Sequence, residues 1–464
     1  MRTPAIIAAK GVSALSQIMR RGSGLTYPGV VAERLHPHII RDLAGALAAG
    51  SAVVTGTNGK TTTAKMLGDT LAAASLRVVR NDSGSNLRQG IASTLVRSAG
   101  LLGRRLDGDL AVLEVDEATM PLVIADIAPR LICVTNLFRD QLDRYGELDT
   151  VAELVGNAMR AVPAARVLLN ADDPIVVGLA KHAAGSVAYF GIDDASCAQP
   201  TSVRGQNVAR CPECGEPLEF VTGYYAHLGD WRCPNCGLAR PALDFSARDV
   251  RLDADSSAFT LAAYGEEVAI KLPISGLHNV YNALAASACA TTLGLAPAAV
   301  AEPLGVFSAA FGRTEELDVD GRRVILVLAK NPTGAEQSLA SVLADRGPKA
   351  VGIALNDNAA DGTDVSWIWD VDFEAYDMSK CTMVLTGNRA EDIALRLKYA
   401  GVDGCNLRLC PDLAGAVRVL AQCAPGKAVA HMFATYTAML EIRNAFAPAD
   451  DRFAGLGRRL RHNA

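Results

Sequence analysis

The sequence predicts an α/β protein in which helices cover mainly parallel sheets, and three observations support this prediction. Short apolar runs alternate with helix-like segments along most of the chain. A glycine-containing loop follows the first clear run, and a second set of runs begins beyond residue 311. Because a parallel strand needs a crossover connection, usually a helix, to reach its neighbour, such alternation is typical of parallel sheets.

The length and composition narrow the class of protein. A chain of 464 residues is too long for one ordinary core and predicts two or three domains. Half of the residues are hydrophobic and a fifth are charged, as in ordinary globular proteins. The formal net charge of −5 does not favour a nucleic-acid partner, which calls for a concentrated basic surface. We therefore expect no nucleic-acid binding.

Membrane insertion and export are not expected either. No apolar run reaches the roughly 18–20 residues that are needed to cross a bilayer. Lys10 interrupts the weak apolar stretch at the N-terminus, which predicts a first helix and not a signal peptide. A protein without a transmembrane segment and with a cytoplasmic location is the resulting expectation.

Three parts are expected along the chain. Residues 1–48 are predicted to be a short helical lead-in, and residues 49–310 a P-loop ATPase domain whose pattern is interrupted by an insert at about 205–242. Residues 311–464 are predicted to form a Rossmann-like α/β domain. Besides the strand that starts at Ser51, the predicted strands are 110–115, 131–137, 165–170, 324–329, 350–355, 382–387 and 428–433.

A phosphate-binding loop is predicted where the strand that starts at Ser51 ends and a helix begins. Glycines let the backbone approach a phosphate closely, and a helix N-terminus supplies N–H donors. We expect Lys60 to contact the β- and γ-phosphates of ATP, and the hydroxyl of Thr61 or Thr62 to reach Mg²⁺. A glycine turn without function is the alternative, but the order strand, loop, Lys-Thr and helix weighs against it. The loop residues are Gly56, Thr57, Asn58, Gly59, Lys60, Thr61 and Thr62.

Four cysteines predict a zinc ribbon inside the insert. Cys211 and Cys214 form one CPxC pair, and Cys233 and Cys236 form another after an interval of 18 residues. This is the spacing of structural sites in which two turns aim four thiolates at one tetrahedral Zn²⁺. A redox CxxC is the alternative, and two matched proline-containing pairs weigh against it. A complete ligand set leaves no open position, so a stabilising or partner-docking role is expected for the ribbon.

Carboxylates follow two predicted strands, at the sheet edge where α/β folds bind ligands. Glu114 lies near the end of strand 110–115 and is a candidate Mg²⁺ ligand, with helix capping as the alternative. In the last domain, an acidic segment follows strand 350–355 and also carries Trp367 and Trp369. A solvated loop is the alternative there, although tryptophans call for burial or a partner. The acids of this segment are Asp357, Asp361, Asp364, Asp370 and Asp372.

Several motifs together resemble the Mur ligase superfamily, whose members join a carboxylate to an amine through an acyl-phosphate. They are TGTNGKTTT at 55–63, LEVDE at 113–117, VTNLFRDQLDRYGE at 134–147, GLHNVYN at 276–282 and FGRTE at 311–315. The resemblance implies that Glu114 binds Mg²⁺. Gln141 departs from the pattern, because many Mur ligases have a metal-binding histidine there. The resemblance further implies nucleotide contacts by Asn136, Asn279, Asn282 and Arg313.

The cysteine insert and the acidic segment narrow the resemblance to the MurT-type subunits of lipid II isoglutaminyl synthase. The acidic segment reads NDNAADGTDVSWIWDVDFE at 356–374, and the similarity runs over nearly the whole chain. It implies amidation of the α-carboxylate of D-glutamate in the lipid II stem peptide, giving D-isoglutamine. The implied cofactors are ATP, Mg²⁺ and Zn²⁺. Lys60 and Glu114 are then the catalytic candidates of the ATPase domain.

The same resemblance implies a partner and a place of action. The sequence carries no convincing amidotransferase nucleophile motif, so glutamine hydrolysis is assigned to a GatD-type glutaminase in a heterodimer. In this family, an aspartate of the C-terminal domain completes the partner's Cys–His pair, where it would orient the histidine. Asp364 is the first candidate for that role, followed by Asp357 and Asp361. The lipid-linked substrate implies action at the inner face of the membrane.

Two other functions remain open from the sequence. The first is a stand-alone ligase that adds an amino acid, as other Mur ligases and folylpolyglutamate synthases do. The cysteine insert, the DGTDVSW motif and Gln141 weigh against it. The second is a zinc-ribbon adaptor with a degenerate ATPase, and the intact motif from Lys60 to Thr62 weighs against that.

Overall fold

The structure is a computed structural model, and it divides into two compact units. One unit contains residues 1–138 and 147–310, and the other consists mainly of residues 311–464. Among the described residues, no helix combines the length and the apolar character that a membrane crossing requires. The described residues are 2–18, 26–81, 85–100, 103, 106–138, 148–198, 209–253, 256–308, 314–343, 347–426 and 428–446.

The first unit begins with helices and continues as alternating strands and helices. In chain order, its main elements are α1 (Arg2–Ile18), α2 (Tyr27–Leu35), α3 (Ile39–Ala44), β1 (Ser51–Thr55), α4 (Lys60–Ala73), β2 (Val78–Arg80), α5 (Arg88–Ser98), β3 (Leu110–Glu114), α6 (Met120–Ile127), β4 (Leu131–Val134), α7 (Leu148–Arg160), β5 (Arg166–Asn170), α8 (Pro174–Gly178), β6 (Val187–Ile192), β7 (Glu219–Tyr225), β8 (Leu228–Arg232), β9 (Phe245–Leu252), β10 (Ser257–Ala263), β11 (Glu266–Leu272), α9 (Leu277–Thr292) and α10 (Ala301–Gly305).

A nine-stranded sheet organises this unit, in the order β11-β10-β9-β6-β5-β4-β1-β3-β2. Neighbouring strands are parallel from β2 to β9, whereas β10 and β11 continue the sheet antiparallel. Strand β1 is buried along its whole length. Its Val54 is level with Glu114 on β3 and with Cys133 on β4. The chain segments that leave these three strands therefore meet at one edge of the sheet.

The N-terminal helices belong to the core of the first unit. Ile39, Ile40 and Leu43 of α3 are fully buried. Helix α2 lies against α5, where the backbone N–H of Gly29 donates to Ser93 Oγ at 2.7 Å. An added Cβ at Gly29 would lie 2.0 Å from the carbonyl oxygen of Gln89, so the two helices approach too closely for a side chain there. The helices predicted within residues 1–48 thus pack on the sheet domain.

Strands β7 and β8 form a separate two-stranded antiparallel hairpin within the insert. A small apolar cluster joins the insert to the main sheet domain through α8, and it includes Val177, Leu218 and Trp231. Trp231 is fully buried although it belongs to the insert. The hairpin is therefore attached to the sheet domain through its own apolar core.

The second unit is a smaller α/β sheet. Its main elements are β12 (Thr314–Val319), β13 (Arg322–Leu328), α11 (Pro332–Leu343), β14 (Lys349–Ala354), β15 (Cys381–Thr386), α12 (Ala390–Tyr399), β16 (Leu407–Leu409), α13 (Leu413–Cys423), β17 (Ala430–Ala434) and α14 (Tyr436–Phe446). The strand order is β12-β13-β17-β14-β15-β16, and all neighbouring pairs are parallel except β12 with β13. The segments that follow β14, β15 and β17 therefore share one edge.

Candidate active site

The predicted phosphate loop lies between β1 and α4, at the carboxyl edge of the first sheet. Gly56 and Gly59 have φ values of +121° and +85°, which L side chains rarely adopt. A Cβ at Gly59 would lie 2.1 Å from Asn282 Oδ1, so this position also lacks the space for a side chain. The glycines thus permit a tight turn that leads directly into the N-terminus of a helix, which is the geometry that receives phosphate groups.

Lys60 is buried at the start of α4 and is surrounded by oxygen atoms. Its Nζ donates to Glu117 Oε2 at 2.9 Å, to the carbonyl oxygen of Thr57 at 3.3 Å and to that of Gly56. Burial by itself lowers the pKa of Lys60, but Glu117, Asp116 and a third acid outweigh it and raise the pKa. Lys60 is therefore a fixed positive charge under the loop.

The two predicted Mg²⁺ ligands lie side by side. Thr61 Oγ1 donates to Glu114 Oε1 at 3.0 Å, and the Glu114 side chain is buried. The backbone of Glu114 is held by Asn81, which accepts from its N–H at 2.9 Å and donates to its carbonyl oxygen at 2.8 Å. Hydroxyl and carboxylate oxygens suit a hard divalent cation, so this pair fits Mg²⁺ next to the phosphate loop.

Sequence reasoning missed Glu117 and Asp116, which are buried next to Glu114. Both belong to the LEVDE motif, and the signal that could have identified them is a set of three acids within four residues at the end of a buried strand. A buried carboxylate needs a partner or a metal. Glu117 has that partner in Lys60 at 2.9 Å.

Asn136 supports the phosphate loop from the neighbouring strand exit after β4. Its Oδ1 accepts from the backbone N–H of Asn58 at 2.8 Å, and its Nδ2 donates to the carbonyl oxygen of Asn58 at 3.1 Å. Its own carbonyl oxygen accepts from the N–H of Thr57 at 2.8 Å. In this structure, Asn136 thus holds the shape of the loop.

Two further predicted nucleotide residues, Asn279 and Asn282, lie on α9, and Asn282 contacts the helix that follows the loop. Asn282 Oδ1 accepts from Thr63 Oγ1 at 3.4 Å, and its Nδ2 donates to Asn279 Oδ1 at 3.3 Å. Asn279 Nδ2 donates to the carbonyl oxygen of Ser275 at 2.7 Å. Thr62 is buried on α4, and Arg313 lies outside the described residues.

A second group of buried polar residues follows β5 and was not predicted. Asn170, which ends β5, is fully buried, as are Asp172 and Asp173 within the same NADDP motif, and this set of polar residues at the end of a buried strand was the available signal. Asp173 caps α8 by accepting from the backbone N–H of Ile175 and Val176. Their position at the ligand-binding edge makes these residues part of the site's framework.

Asp172 is the centre of a buried charge network. Its carboxylate lies 2.6 Å from Arg240 Nη2, and it accepts from Tyr281 Oη at 2.6 Å and from the N–H of Ile192 at 2.8 Å. Burial raises the pKa of Asp172 to about 6, although Arg240 and these hydrogen bonds act in the opposite direction. Tyr281 lies on α9 and Arg240 in the insert, so the network ties both to the exit of β5.

The four predicted zinc ligands come together in the insert. The Sγ atoms of Cys211, Cys214, Cys233 and Cys236 all lie within 4.8 Å of one another. Cys211 lies 3.5 Å from Cys236, and Cys214 lies 3.5 Å from Cys233. Zn–S bonds of about 2.3 Å in a tetrahedron place sulfurs roughly 3.8 Å apart, so the donor set and spacing fit Zn²⁺.

The charge state of the cluster also fits a cation. A hydrogen bond from the backbone of Glu216 lowers the pKa of Cys214 to about 6. A backbone hydrogen bond from Leu238 lowers the pKa of Cys236, but its interactions with the other sulfurs outweigh this and raise it to about 12. One thiolate thus opposes the formation of the next. A divalent metal ion would relieve this repulsion, because thiolates are its ligands.

Loss of the cluster is expected to destabilise the first unit. Treatment with a chelator, or the substitution Cys233→Ser, should lower its thermal unfolding midpoint by about 5 °C or more, since each kcal/mol shifts that of a large domain by about 2–4 °C. Calorimetry measures the thermal midpoint, and metal analysis measures how much metal remains bound. Cys405→Ser changes an exposed cysteine of the second unit and is the control. An unchanged midpoint after complete metal removal contradicts a structural role.

In the second unit, the three aspartates that were candidates for the partner's site have different hydrogen-bond partners. Asp361 is buried and accepts from the backbone N–H and from Oγ1 of Thr437. Asp357 accepts from Asn388 Nδ2 at 2.6 Å and lies 3.3 Å from Arg389 Nη1.

Asp364 is only partly buried, and the hydrogen bond described for its carboxylate comes from the N–H of Ser366 at 2.8 Å. The nearby Trp369 is 47% exposed and lies edge-on to Tyr399. Asp357 is also partly buried, so the two differ in their described partners: Asp364 is bonded within its own turn, whereas Asp357 is bonded to Asn388.

Comparisons with known proteins cover both units. The Mur ligase middle domain family matches residues 54–218, and the MurT ligase C-terminal family matches residues 328–439. A lipid II isoglutaminyl synthase (glutamine-hydrolyzing) subunit MurT of Streptococcus pneumoniae is 36% identical over 433 residues, which cover 93% of this chain and 94% of the relative. The MurT subunit of Staphylococcus aureus strain COL is 34% identical, covering 83% of this chain and 84% of the relative.

A solved structure shows the same fold. The pseudomurein peptide ligase type C from Methanothermus fervidus superposes with a TM-score of 0.64 at 23% identity, covering 85% of this chain and 77% of that one. The architecture described above is thus that of Mur ligases, including its mixed α/β sheets.

Proposed function

The chain belongs to the MurT family of Mur ligases, and from this premise we propose that it is the ligase subunit of a lipid II isoglutaminyl synthase. It amidates the α-carboxylate of D-glutamate in the lipid II stem peptide and consumes ATP. The observation that carries the proposal is the pairing of Thr61 with Glu114 at 3.0 Å, next to the buried charge of Lys60.

The proposed reaction has two steps. A carboxylate oxygen of the substrate attacks the γ-phosphorus of ATP, the bond to the β–γ bridging oxygen breaks, and ADP leaves. Ammonia then attacks the acyl carbon, phosphate leaves, and ammonia loses a proton as the amide forms. The first step depends on neutralising the charge of the phosphates and of the attacking carboxylate.

Each residue of the loop has a role in this reaction. Lys60 exchanges Glu117 and the loop carbonyls for phosphate oxygens, and its raised pKa keeps it charged. Glu114 and Thr61 would hold Mg²⁺, which supplies Lewis-acid stabilisation of the phosphates when bound. Asn136 fixes the loop backbone that donates N–H groups, and Asn282 holds the side chain of Thr63 on α4.

We assign the ammonia supply to a GatD-type glutaminase, because the relatives are named as subunits of a glutamine-hydrolysing enzyme. Asp364 is proposed to orient the catalytic histidine of that partner. Its described hydrogen bond comes from its own turn, whereas Asp357 and Asp361 are bonded to Asn388 and Thr437, and this difference supports the choice. The protein would work at the inner membrane face through its lipid-linked substrate.

An assay with ammonium tests the ligase function without the partner. The purified chain, given ATP, Mg²⁺, lipid II and an ammonium salt, is expected to form amidated lipid II and one ADP per amide. Mass spectrometry of the lipid and an ADP assay measure the two products. Addition of a whole amino acid to the substrate contradicts the proposal in favour of a stand-alone ligase. Failure to turn over ATP under any of these conditions favours an adaptor.

A further inference from the structure

The turn of the β7–β8 hairpin lies beside the phosphate loop. The ring of His227, in this turn, is centred 4.8 Å from the ring of Phe138, and Tyr225 lies 6.0 Å from the same ring. Phe138 is bonded to the loop through its backbone: its N–H donates to Thr57 Oγ1 at 3.0 Å, and its carbonyl oxygen accepts from that hydroxyl at 3.2 Å. Only one residue therefore separates the hairpin from the loop.

A second contact holds the same segment. His227 Nε2 lies 3.3 Å from Asp173 Oδ1, and the other oxygen of this fully buried carboxylate accepts from the N–H of Leu137 at 2.8 Å. Leu137 precedes Phe138 in the chain. His227 thus contacts the segment that supports Thr57 both through a ring and through a carboxylate.

The rest of the hairpin is fixed to the exit of β5. Trp231 Nε1 donates to the carbonyl oxygen of Ala171 at 3.1 Å, and the N–H of Gly229 donates to that of Asp172 at 2.9 Å. On the other strand, Tyr224 Oη donates to the carbonyl oxygen of Ile192 at 2.8 Å. These polar groups are buried, so displacement of the hairpin would leave them unpaired, which is costly.

The cysteine cluster closes the base of this hairpin. Cys233 lies two residues beyond the docked Trp231, and its N–H donates to the carbonyl oxygen of Leu238 at 2.6 Å. The segment after the second cysteine pair returns to the domain, where Arg240 pairs with Asp172 at 2.6 Å. A continuous series of contacts therefore runs from the four sulfurs through β8 to the phosphate loop.

We propose that the β7–β8 hairpin positions the phosphate loop, so that the affinity for ATP with Mg²⁺ depends on His227 and on a metal ion bound by the cysteine cluster. This inference rests on the proposed function in one respect, namely that the loop binds ATP. His227 acts through Phe138 and Thr57 and is a positioning residue.

Nucleotide binding by matched variants tests this role. His227→Ala removes the ring beside Phe138, and we expect the Kd for ATP with Mg²⁺ to rise by about 3- to 10-fold, the scale on which loss of an aromatic pair acts. The zinc content should stay at the wild-type value, and the variant should remain folded at the temperature of the titration. Arg232→Ala is the control, because this residue lies on the same hairpin but pairs with Glu219 on the exposed side.

Isothermal titration calorimetry on the full-length chain gives the affinities, and elemental analysis gives the zinc content. His227→Leu, which keeps the bulk of the side chain, replaces the alanine variant if that one fails to fold. Removal of zinc from the wild-type chain should weaken ATP binding at least as much as either variant. Wild-type affinity in His227→Leu or in the zinc-free chain overturns the inference. A wild-type chain that does not bind ATP instead contradicts the proposed function itself.

Discussion

Replacing Lys60 with alanine is expected to lower kcat for amidation and for ADP formation by at least about 10³-fold, the scale on which loss of a charge at a transferring phosphoryl group acts. The ammonium-dependent assay measures the effect without a partner. The reason is local: Lys60 is the buried cation of the loop, and Glu117 is its ion-pair partner at 2.9 Å. Wild-type turnover by Lys60→Ala contradicts an ATP-driven mechanism at this loop.

Stability requires a separate control for this variant. Loss of Lys60 leaves Glu117 buried without its partner, and breaking a buried pair costs about 3–5 kcal/mol. The double variant Lys60→Met with Glu117→Gln removes both charges and keeps similar volumes. We expect it to recover most of the thermal stability that Lys60→Ala loses, while its activity stays low. Recovery of activity together with stability would show that Lys60 acts only on the fold.

The strand–loop–helix pattern allowed the loop between β1 and α4, and its closeness to Glu114, to be predicted from the sequence. Thr61 and Glu114 are 53 positions apart, yet they lie 3.0 Å from each other because Glu114 ends β3, Thr61 follows β1, and these parallel strands are adjacent. In a parallel sheet, the carboxyl ends of the strands lie at the same edge, and this brings such residues together. The site's chemistry is thus encoded locally, in the residues that directly follow each strand.

The framework around the site could not be read in the same way. Asp172 depends on Tyr281 and Arg240, which are brought to it by helix packing and by docking of the insert. Neither contact could be predicted from the spacing of residues in the sequence, because the partners lie far apart along the chain. The sequence also assigned the ribbon a general stabilising or docking role, whereas the position of His227 beside Phe138 depends on how the hairpin folds back onto β5.

The acidic segment shows the opposite case: the sequence located the region and put Asp364 first, but it could not decide among the three aspartates. Asp357, Asp361 and Asp364 are chemically equivalent in the sequence. The structure distinguishes them by the donors that α14 and the segment after β15 present: Thr437 to Asp361, and Asn388 to Asp357. A carboxylate whose lone pairs are already used within its own domain has little capacity to orient a partner's histidine.

Asp364→Asn is therefore expected to lower amidation with glutamine while amidation with ammonium continues. In the presence of the glutaminase, amidation with glutamine should fall by about 10³–10⁴-fold, because an amide holds a catalytic histidine in the wrong tautomer. Amidation with ammonium should stay within about twofold of wild type, since Asp364 is not among the residues that we assign to ATP and Mg²⁺. Parallel assays with the two nitrogen sources measure the ratio.

Two matched variants test whether the selective loss of amidation with glutamine is specific to Asp364. Asp357→Asn keeps the size of a side chain that bonds Asn388 in the segment after β15, and it should leave amidation with glutamine near the wild-type rate. Asp361→Asn weakens the contact with Thr437 and should lower thermal stability first. An equal loss with both nitrogen sources in Asp364→Asn would mean that this carboxylate supports the fold. A selective loss in Asp357→Asn would transfer the role to Asp357, because only the residue that faces the partner's histidine can disconnect glutamine while ammonium still serves as substrate.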